Sequence, residues 1–299
     1  MKCRFIYNPN SGKGKINDNL LLIAKRLNEV FSEVEFCGTK YKGHARELAQ
    51  NSCGTIDYLI FSGGDGTFNE VIQGISNMNQ KPILGYIPSG TVNDIAQSLN
   101  IPKKIDAALD LICSKTAQSY DVCKINNSYF MYAAAAGIFT KVSYSTKQII
   151  KKLIGKAAYF INIGDDLIHF NELNLDIVLD DKKHIKGHYS LILFLNSKSV
   201  AGFKVNKTNS MKDGKLDFIT VDNNPLVKGK ISIKSIFHII GIFLFGIKKM
   251  QNKEIKYYEA RKVEIRTNQD IPWCLDGEEG MRGSVKIEVL PNHVKIISK

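Results

Sequence analysis

The sequence predicts an α/β fold in two parts, an N-terminal doubly wound α/β domain and a C-terminal antiparallel β-sandwich. At 299 residues and 44% hydrophobic content, the chain is long enough to bury two separate cores. Apolar strand-like runs alternate with amphipathic helical stretches as far as Cys113, which is typical of a parallel sheet covered by helices. From Gln118 onwards, short alternating segments separated by turn residues indicate antiparallel strands.

The N-terminal domain is predicted to contain four parallel strands connected by helices. Apolar, β-branched runs predict strands at residues 3–7, 34–36, 58–61 and 82–87. Apolar residues at helical spacing predict helices at residues 20–31, 43–50, 67–75, 95–99 and 107–113. In such sheets, ligands bind beyond the carboxyl ends of the strands. The turns at Asn8, Gly63 and Ser89 all follow strands, so we expect them to share that edge.

The turn after the third strand, with three glycines in four positions from Gly63, is where we expect the chemistry to be assembled. Glycines let a ligand approach the backbone closely, and the N-terminus of the helix that follows, near Thr67, would attract an anion. Asp65 would repel a bare phosphate unless a cation or a hydroxyl to be deprotonated lies beside it. The third glycine of G-x-G-x-x-G is replaced by Asn69, and G-x-x-x-x-G-K-[ST] is absent from the sequence. A glycine-rich turn without a ligand is the alternative.

The second domain is predicted to begin at about residues 120–125. Its predicted strands are residues 121–125, 129–134, 173–179, 188–195, 216–221, 262–267, 285–290 and 293–297. Helices are predicted near residues 143–169 and 231–249. The second helix contains an apolar run, 236–247, flanked by lysines and too short to cross a bilayer, which needs about 20 residues. It is either a core helix packed on the sheet or a helix that lies in a membrane interface.

Charge and cysteine content narrow the classes of partner and compartment. The chain has 41 Lys and Arg against 29 Asp and Glu, a net charge of +12, which favours an anionic partner such as a nucleotide or an acidic membrane. Nucleic acid is the least favoured partner, because the basic residues are dispersed and few aromatic residues lie among them. The six cysteines form no C-x-x-C pair, which favours free thiols in a reducing cytosol, and no histidine spacing suggests zinc. The N-terminus does not resemble a signal peptide.

Four blocks follow one another along nearly the whole chain. They are Asn8-Pro9-x-Ser11-Gly12-Lys13, the stretch from Gly63 to Val71, Pro88-Ser89-Gly90-Thr91-x-Asn93-Asp94, and Leu275-Asp276-Gly277-Glu278. Together they resemble the diacylglycerol kinase catalytic family of soluble bacterial lipid kinases, which are related to sphingosine and ceramide kinases and distantly to NAD kinases. The resemblance implies an NAD kinase-like nucleotide-binding domain of residues 1–123 plus about 291–299, and a lipid-substrate β-sandwich of residues 124–290. It also implies that the nucleotide lies in the cleft between them.

The resemblance further implies roles for individual residues. Asp276 is implied to be the general base for the acceptor hydroxyl, with Asp65, Asp94 and Glu278 in an acidic network around a catalytic magnesium ion. The residues implied to bind ATP are Asn8, Lys13, Thr39, Gly63, Gly64, Asp65, Gly66, Thr67, Phe68, Asn69, Gly90 and Thr91. A simple Asp-Gly hairpin is the alternative for Asp276. We expect Asp276→Ala to abolish activity with the fold intact.

A structural magnesium ion in the second domain is also implied by the resemblance. Its ligands would be Asp213 and the carbonyl groups of Ser210 and Lys215. Lys212 stands where the family often has Asp or Asn, and a type I′ turn without metal is the alternative.

The function expected from the resemblance is an ATP- and Mg²⁺-dependent lipid kinase. Diacylglycerol is the preferred acceptor and phosphatidic acid the product, and the protein would be cytoplasmic with peripheral contact to an anionic membrane. The alternatives are a sphingoid or ceramide-type kinase, an NAD kinase, and a nucleotide-binding regulator without catalysis. The sequence leaves open the acceptor lipid and the oligomeric state, for which a homodimer is one option.

Overall fold

A computed structural model describes residues 1–11, 16–138, 172–223 and 232–299. The chain folds into two compact units, Met1–Val122 with Pro291–Lys299, and Cys123–Leu290. It passes from the first unit to the second within strand β5 (Ala117–Ile125) and returns within β15 (Val285–Ile297). The first unit is α/β and the second an antiparallel β-sandwich, so the predicted fold class is confirmed.

The first unit is built on a parallel sheet. Its strands are β1 (Lys2–Tyr7), β2 (Glu33–Gly38), β3 (Tyr58–Gly63) and β4 (Ile83–Pro88). Strand β1 lies between β2 and β3, β4 lies beyond β3, and the end of β15 joins β4 in parallel with Ile296 opposite Leu84. The order therefore reverses between β1 and β3. Open α/β sheets bind ligands beyond the carboxyl ends of the strands at such a reversal.

The helices of the first unit pack their apolar faces on this sheet. They are α1 (Leu20–Asn28), preceded by a 3-10 turn at Asn17–Asn19, and α2 (His44–Gln50), α3 (Asp65–Ile75), α4 (Asp94–Ser98) and α5 (Ile105–Ser114). Ile23 of α1 and Leu109 of α5 share a buried core with Phe5 and Ile60 of the sheet. Helix α3 begins two residues before the predicted start, because Gly64 is extended at φ −94° and ψ −170° and serves as the N-cap residue.

The second unit is made mainly of antiparallel strands. They are β6 (Ser128–Phe130), β7 (Ala133–Gly137), β8 (Leu173–Leu179), β9 (Lys183–Leu195), β10 (Leu216–Asp222), β11 (Ile255–Ala260), β12 (Lys262–Arg266), β13 (Pro272–Leu275) and β14 (Glu278–Arg282). Strand β9 changes partners along its length, since its first half pairs with β8 and its second half with β7 and β10. Phe194 of β9 stacks on Phe218 with ring centroids 4.7 Å apart, and fully buried Trp273 lies beside it.

The predicted helix at residues 231–249 is two helices, α6 (Ile233–Phe245) and α7 (Ile247–Met250). They are separated by Gly246, whose φ of +84° suits glycine. The predicted helix at residues 143–169 lies outside the described residues. Among the described helices, none combines the length and the apolar character that a membrane crossing requires.

Candidate active site

The turns that follow β1 and β4 contact each other and the end of β3 through serine hydroxyls. Ser62 Oγ donates a hydrogen bond to Ser89 Oγ at 3.2 Å, and Ser89 Oγ donates to Ser11 Oγ at 3.0 Å. The backbone amide of Asn8 donates to the carbonyl of Ser62 at 3.1 Å. The three turns thus lie side by side at one edge of the sheet, where the order of strands reverses.

The glycine turn packs directly on the turn after β4. A Cβ on Gly90 would lie 2.5 Å from Gly64 Cα and 2.7 Å from Asn93 Oδ1, so a side chain there would push the turns apart. Asn93 has a left-handed φ of +56°, and its side chain accepts the Gly90 amide at 2.9 Å and donates to the Gly90 carbonyl at 2.8 Å. A Cβ on Gly63 would lie 2.3 Å from Thr67 Oγ1. Close packing alone therefore explains these glycines.

Asp65 is the first residue of α3, and its carboxylate points to the start of α4. Its Oδ1 accepts the Ile95 amide at 3.3 Å. Burial raises the pKa of Asp65, and hydrogen bonds from the backbone at Ile95, Asp94 and Asn93 lower it in part. The sequence predicts a cation or a hydroxyl beside the Asp65 carboxylate. In the structure, these backbone amides already place partial positive charge next to it. Asp94, the first residue of α4, is itself 2% exposed.

Phe68 belongs to the core and not to the surface of the glycine turn. It is 1% exposed, and its ring meets those of Phe61 and Tyr86 edge-on, with centroids 5.3 and 5.1 Å apart. Its amide donates to the Gly64 carbonyl within the first turn of α3. The Phe68 ring is therefore not available to a nucleotide, and the prediction that Phe68 binds ATP concerns its backbone alone. Thr91, by contrast, is exposed, and Asn69 is half-buried.

Glu70 has a role that the sequence did not reveal. Its carboxylate accepts the amides of Gly43 at 2.9 Å and Ala45 at 3.2 Å, which joins α3 to the start of α2. Thr39 lies just before this segment, where its amide donates to the Tyr7 carbonyl at 2.8 Å. No local pattern could indicate a contact between positions 27 apart. Lys13, also predicted to hold phosphate, lies outside the described residues.

In the second unit, Asp276 and Gly277 form the two-residue turn of the β13–β14 hairpin. Leu275 pairs with Glu278, and the turn residues have φ values of +49° and +84°, as in a type I′ turn. Glu278 is exposed, whereas Asp276 is only 4% exposed. The turn alone does not explain why a carboxylate is buried there.

The buried carboxylate of Asp276 accepts three consecutive backbone amides. Met131 donates to Oδ2 at 2.7 Å, and Tyr132 and Ala133 donate to Oδ1 at 2.9 and 3.0 Å. Asn196 holds the same segment through the Met131 carbonyl, to which its Nδ2 donates at 2.9 Å. The carboxylate is thus oriented by the backbone on which β7 begins.

The turn predicted to hold a structural magnesium ion is exposed at Asp213. Asp213 Oδ1 accepts the Lys215 amide at 3.0 Å, and Ser210 Oγ accepts the Lys212 amide at 3.2 Å. These bonds connect the side chains of the turn to its own backbone amides. Among the described residues, no three His, Cys, Asp or Glu side chains form a group that could hold a metal ion.

Comparisons with known proteins agree with this architecture. Residues 2–125 match the model of the diacylglycerol kinase catalytic domain, and residues 133–298 match that of the YegS C-terminal NAD kinase beta sandwich-like domain. A diacylglycerol kinase of Staphylococcus saprophyticus is 31% identical, over 99% of this chain and 95% of the relative. One of Staphylococcus aureus is 32% identical, over 99% and 92%. A crystal structure of a Bacillus anthracis protein assigned to the diacylglycerol kinases has a TM-score of 0.84 and 25% identity, covering 100% of this chain and 97% of that one.

Proposed function

The chain belongs to the diacylglycerol kinase family, and we propose that it transfers the γ-phosphoryl group of ATP to the hydroxyl of diacylglycerol, giving phosphatidic acid. The family consists of lipid kinases, so a lipid acceptor follows from membership. The choice of diacylglycerol rests on one observation, the 31% identity over 99% of the chain to a relative named for that acceptor.

We assign nucleotide binding to the first unit. Its three contacting turns lie at the reversal of the parallel sheet, and α3 begins in the glycine turn, where its N-terminal amides attract an anion. This is the property of the described residues that fits a triphosphate. The residues proposed to hold ATP are Asn8, Lys13, Thr39, Gly63, Gly64, Asp65, Gly66, Thr67, Phe68 through its backbone, Asn69, Gly90 and Thr91.

Magnesium is the ion we propose to accompany ATP, because phosphoryl transfer requires neutralisation of phosphate charge. Magnesium prefers oxygen ligands and keeps several of its waters. The Asp65 carboxylate already accepts amide hydrogen bonds at the start of α4, and Asp94 is 2% exposed. Asp65, Asp94 and Glu278 are therefore proposed to act on the ion through water and not as direct ligands.

Asp276 is proposed to be the general base. Three backbone amides orient its carboxylate, one donating to Oδ2 and two to Oδ1. This carboxylate would take the proton of the acceptor hydroxyl while the hydroxyl oxygen bonds to phosphorus and the bond to ADP breaks. Because the amides already orient the carboxylate, little reorganisation is needed during transfer.

The test is a phosphorylation assay with the full-length chain, labelled ATP and Mg²⁺. Diacylglycerol, ceramide and sphingosine are offered separately in mixed micelles, and NAD in solution, with Asp276→Asn as the inactive control. We expect labelled phosphatidic acid from diacylglycerol. Preferential labelling of ceramide or sphingosine would show that this lipid, and not diacylglycerol, is the acceptor. Labelling of NAD would overturn the proposal of a lipid kinase. Binding of ATP without turnover on any acceptor would indicate a regulator.

For the turn at Asp213 we propose a structural magnesium ion held by Asp213 and the carbonyls of Ser210 and Lys215. Magnesium should then raise the melting temperature of the wild type relative to chelator, and Asp213→Ala should lose this shift. Asp181→Ala, a change at another exposed turn, is the matched control and should keep it. If magnesium shifts the melting temperature of both variants equally, Asp213 does not bind a structural magnesium ion.

We also propose that the protein is cytoplasmic and contacts an anionic membrane surface peripherally. Diacylglycerol stays in the membrane, so a kinase that uses it has to reach the lipid there. The net charge of +12 supports attraction to acidic headgroups.

A further inference from the structure

Helix α6 carries apolar side chains on its outer face as well as on its packed face. Ile239 and Ile242 are fully buried, whereas Phe237 and Leu244 are 66% and 55% exposed. Ile240 is half-buried and lies three residues after Phe237 and four before Leu244, so these three side chains form one stripe. Phe245, at the end of the helix, is 60% exposed. We call these four residues the outer face of α6.

The concentration of exposed apolar side chains here is unusual for this chain. Among the described residues, eight large hydrophobic side chains are exposed, and three of them belong to α6. Contiguous exposed apolar surface in a soluble fold marks a site that contacts a protein or a membrane.

The packing of α6 fixes which face is exposed. Ser232 caps the helix by accepting the Lys234 amide at 3.2 Å. At the other end, the Ile247 amide donates to the Val205 carbonyl at 2.9 Å, which attaches the α6–α7 junction to the loop before β10. Phe243 meets Phe203 of the same loop edge-on, with ring centroids 5.7 Å apart. The outer face is thus exposed because of how the helix is held, and not because its end frays.

Positive charge accompanies this face. From Ser232 to Lys253 the sequence contains four lysines, at positions 234, 248, 249 and 253, and no Asp or Glu. Lys248 and Lys249 are exposed in α7 and make no ion pair within the described parts of the chain. Glu254, the next acid, lies 3.3 Å from His238 Nδ1 and pairs with Lys234. An exposed apolar stripe followed directly in the chain by unpaired lysines matches the acyl and headgroup layers of an anionic bilayer.

We propose that the outer face of α6, together with Lys248 and Lys249, is the surface by which the protein binds an anionic lipid bilayer. The inference rests on the proposed function, because a kinase for diacylglycerol has to work where that lipid lies. A helix of 13 residues is about 20 Å long and would lie along the interface without crossing it.

Charge favours a bilayer over a second copy of the chain. A two-fold symmetric dimer on this face would bring the same lysines towards one another, since both partners use the same surface. The segment that forms the face offers no acidic side chain to meet them. An anionic lipid layer supplies both the apolar contact and the opposite charge.

The proposal is tested by flotation of the full-length chain with vesicles of phosphatidylglycerol and phosphatidylcholine, without ATP and without diacylglycerol. Phe237→Ser with Leu244→Ser should weaken partitioning about tenfold or more, because two large apolar side chains no longer enter the interface. Lys248→Glu with Lys249→Glu should weaken it by a similar factor, and vesicles of phosphatidylcholine alone should bind the wild type poorly.

Matched controls separate this surface from general effects of charge and apolarity. Leu21→Ser removes a side chain that is 88% exposed on α1, and Lys25→Glu with Lys182→Glu makes the same change in net charge at exposed positions elsewhere. These variants should keep most of the wild-type binding. Equal loss in the controls, or unchanged binding in the α6 variants, would overturn the proposal.

Two further outcomes would also overturn it. One is a wild type that does not bind anionic vesicles, and the other is a wild-type dimer that Phe237→Ser with Leu244→Ser turns into a monomer while vesicle binding persists. The second would assign the face to a contact between copies. Because the assay needs neither nucleotide nor acceptor, vesicle binding by a chain that phosphorylates no lipid would leave the surface in place and reject the kinase function alone.

Discussion

The carboxylate of Asp276 accepts the backbone amide of Met131 at 2.7 Å, which joins residues 145 positions apart. The next two amides, of Tyr132 and Ala133, donate to the other oxygen of the same carboxylate. All of these hydrogen bonds are buried, and a buried donor left without an acceptor costs about 1–3 kcal/mol. The residue proposed as the base is therefore also the anchor between the β13–β14 hairpin and the segment before β7.

This double role changes what Asp276→Ala is expected to do. The variant should lose about 2–5 kcal/mol in the free energy of unfolding, since three amides lose their acceptor, whereas the sequence alone suggested an intact fold. Asp276→Asn retains an oxygen for Tyr132 and Ala133, while its amide group cannot accept from Met131, so its loss should be smaller. Urea denaturation measures both.

Activity separates the base from the anchor. Asp276→Asn should lower kcat about 10²- to 10⁴-fold, as expected when a general base is removed. If Asp276→Asn turns over near the wild-type rate, Asp276 is not the general base and serves only to anchor the hairpin. If Asp276→Ala is as stable as the wild type, Asp276 does not anchor the hairpin.

The first unit could be predicted from the sequence because its signals are local. The strands that end at Tyr7, Gly63 and Pro88 are apolar runs closed by turn residues, and the turns after them meet at the edge where a parallel sheet places them. In the second unit, β11, β13 and β14 were not predicted. Strand β13 has four residues, begins with Pro272 and pairs on one side with β7, which lies far away in the chain. Such strands form through tertiary pairing, which overrides weak local propensity.

For the candidate site, the sequence predicted which stretches of the chain take part, but not which atoms their side chains contact. The glycine turn was identified, but the partner of Asp65 was not, since the Ile95 amide lies 30 positions away. Phe68 stands within the matched block, yet its ring fills the core beside Phe61 and Tyr86. A motif marks a stretch of backbone and does not say which of its side chains point inwards.

Alanine substitutions at Gly90 and Gly64 test the contact between the turn after β4 and the glycine turn, because the two positions leave different amounts of space for a methyl group. A methyl group on Gly90 would lie 2.5 Å from Gly64 Cα, whereas one on Gly64 would lie 3.3 Å from Gly90 Cα. Gly90→Ala should therefore lower stability by about 1–3 kcal/mol and weaken ATP binding, and Gly64→Ala should do less of both. Thermal unfolding and isothermal titration with ATP provide the two readouts. A larger effect at Gly64 would contradict the packing described here.

Glu70 should act on nucleotide binding through the start of α2. In Glu70→Ala, the amides of Gly43 and Ala45 lose their acceptor, which should cost about 1–2 kcal/mol and loosen the segment that follows Thr39. If Thr39 holds ATP as proposed, the KM for ATP rises while kcat changes less. Glu47→Ala, which removes an exposed carboxylate from α2 bonded to Tyr41, is the control. A loss of stability with an unchanged KM would exclude this segment from the nucleotide site.

The stability of the first unit should fall in mild acid because of His293. Its Nε2 lies 2.9 Å from the Ser76 carbonyl, an acceptor, so this nitrogen carries the proton of the neutral ring. Burial, and then the positive charge of Lys81, lower the pKa of His293 below 6.5, and the hydrogen bond to Ser76 raises it in part. The unfolded chain therefore binds the extra proton first. The stabilisation is present above the unfolded pKa and is lost as the pH falls through the folded one.

The melting temperature of the wild type should accordingly decrease as the pH falls below about 6.5, the ordinary histidine pKa, and the loss should be complete once the pH is below the lowered pKa of His293. His293→Gln can donate its side-chain amide to Ser76 but cannot titrate, so its melting temperature should depend less on pH in this range. His184→Gln changes an exposed histidine on β9 and should keep the wild-type slope. The same slope in all three proteins would show that another group controls the acid sensitivity.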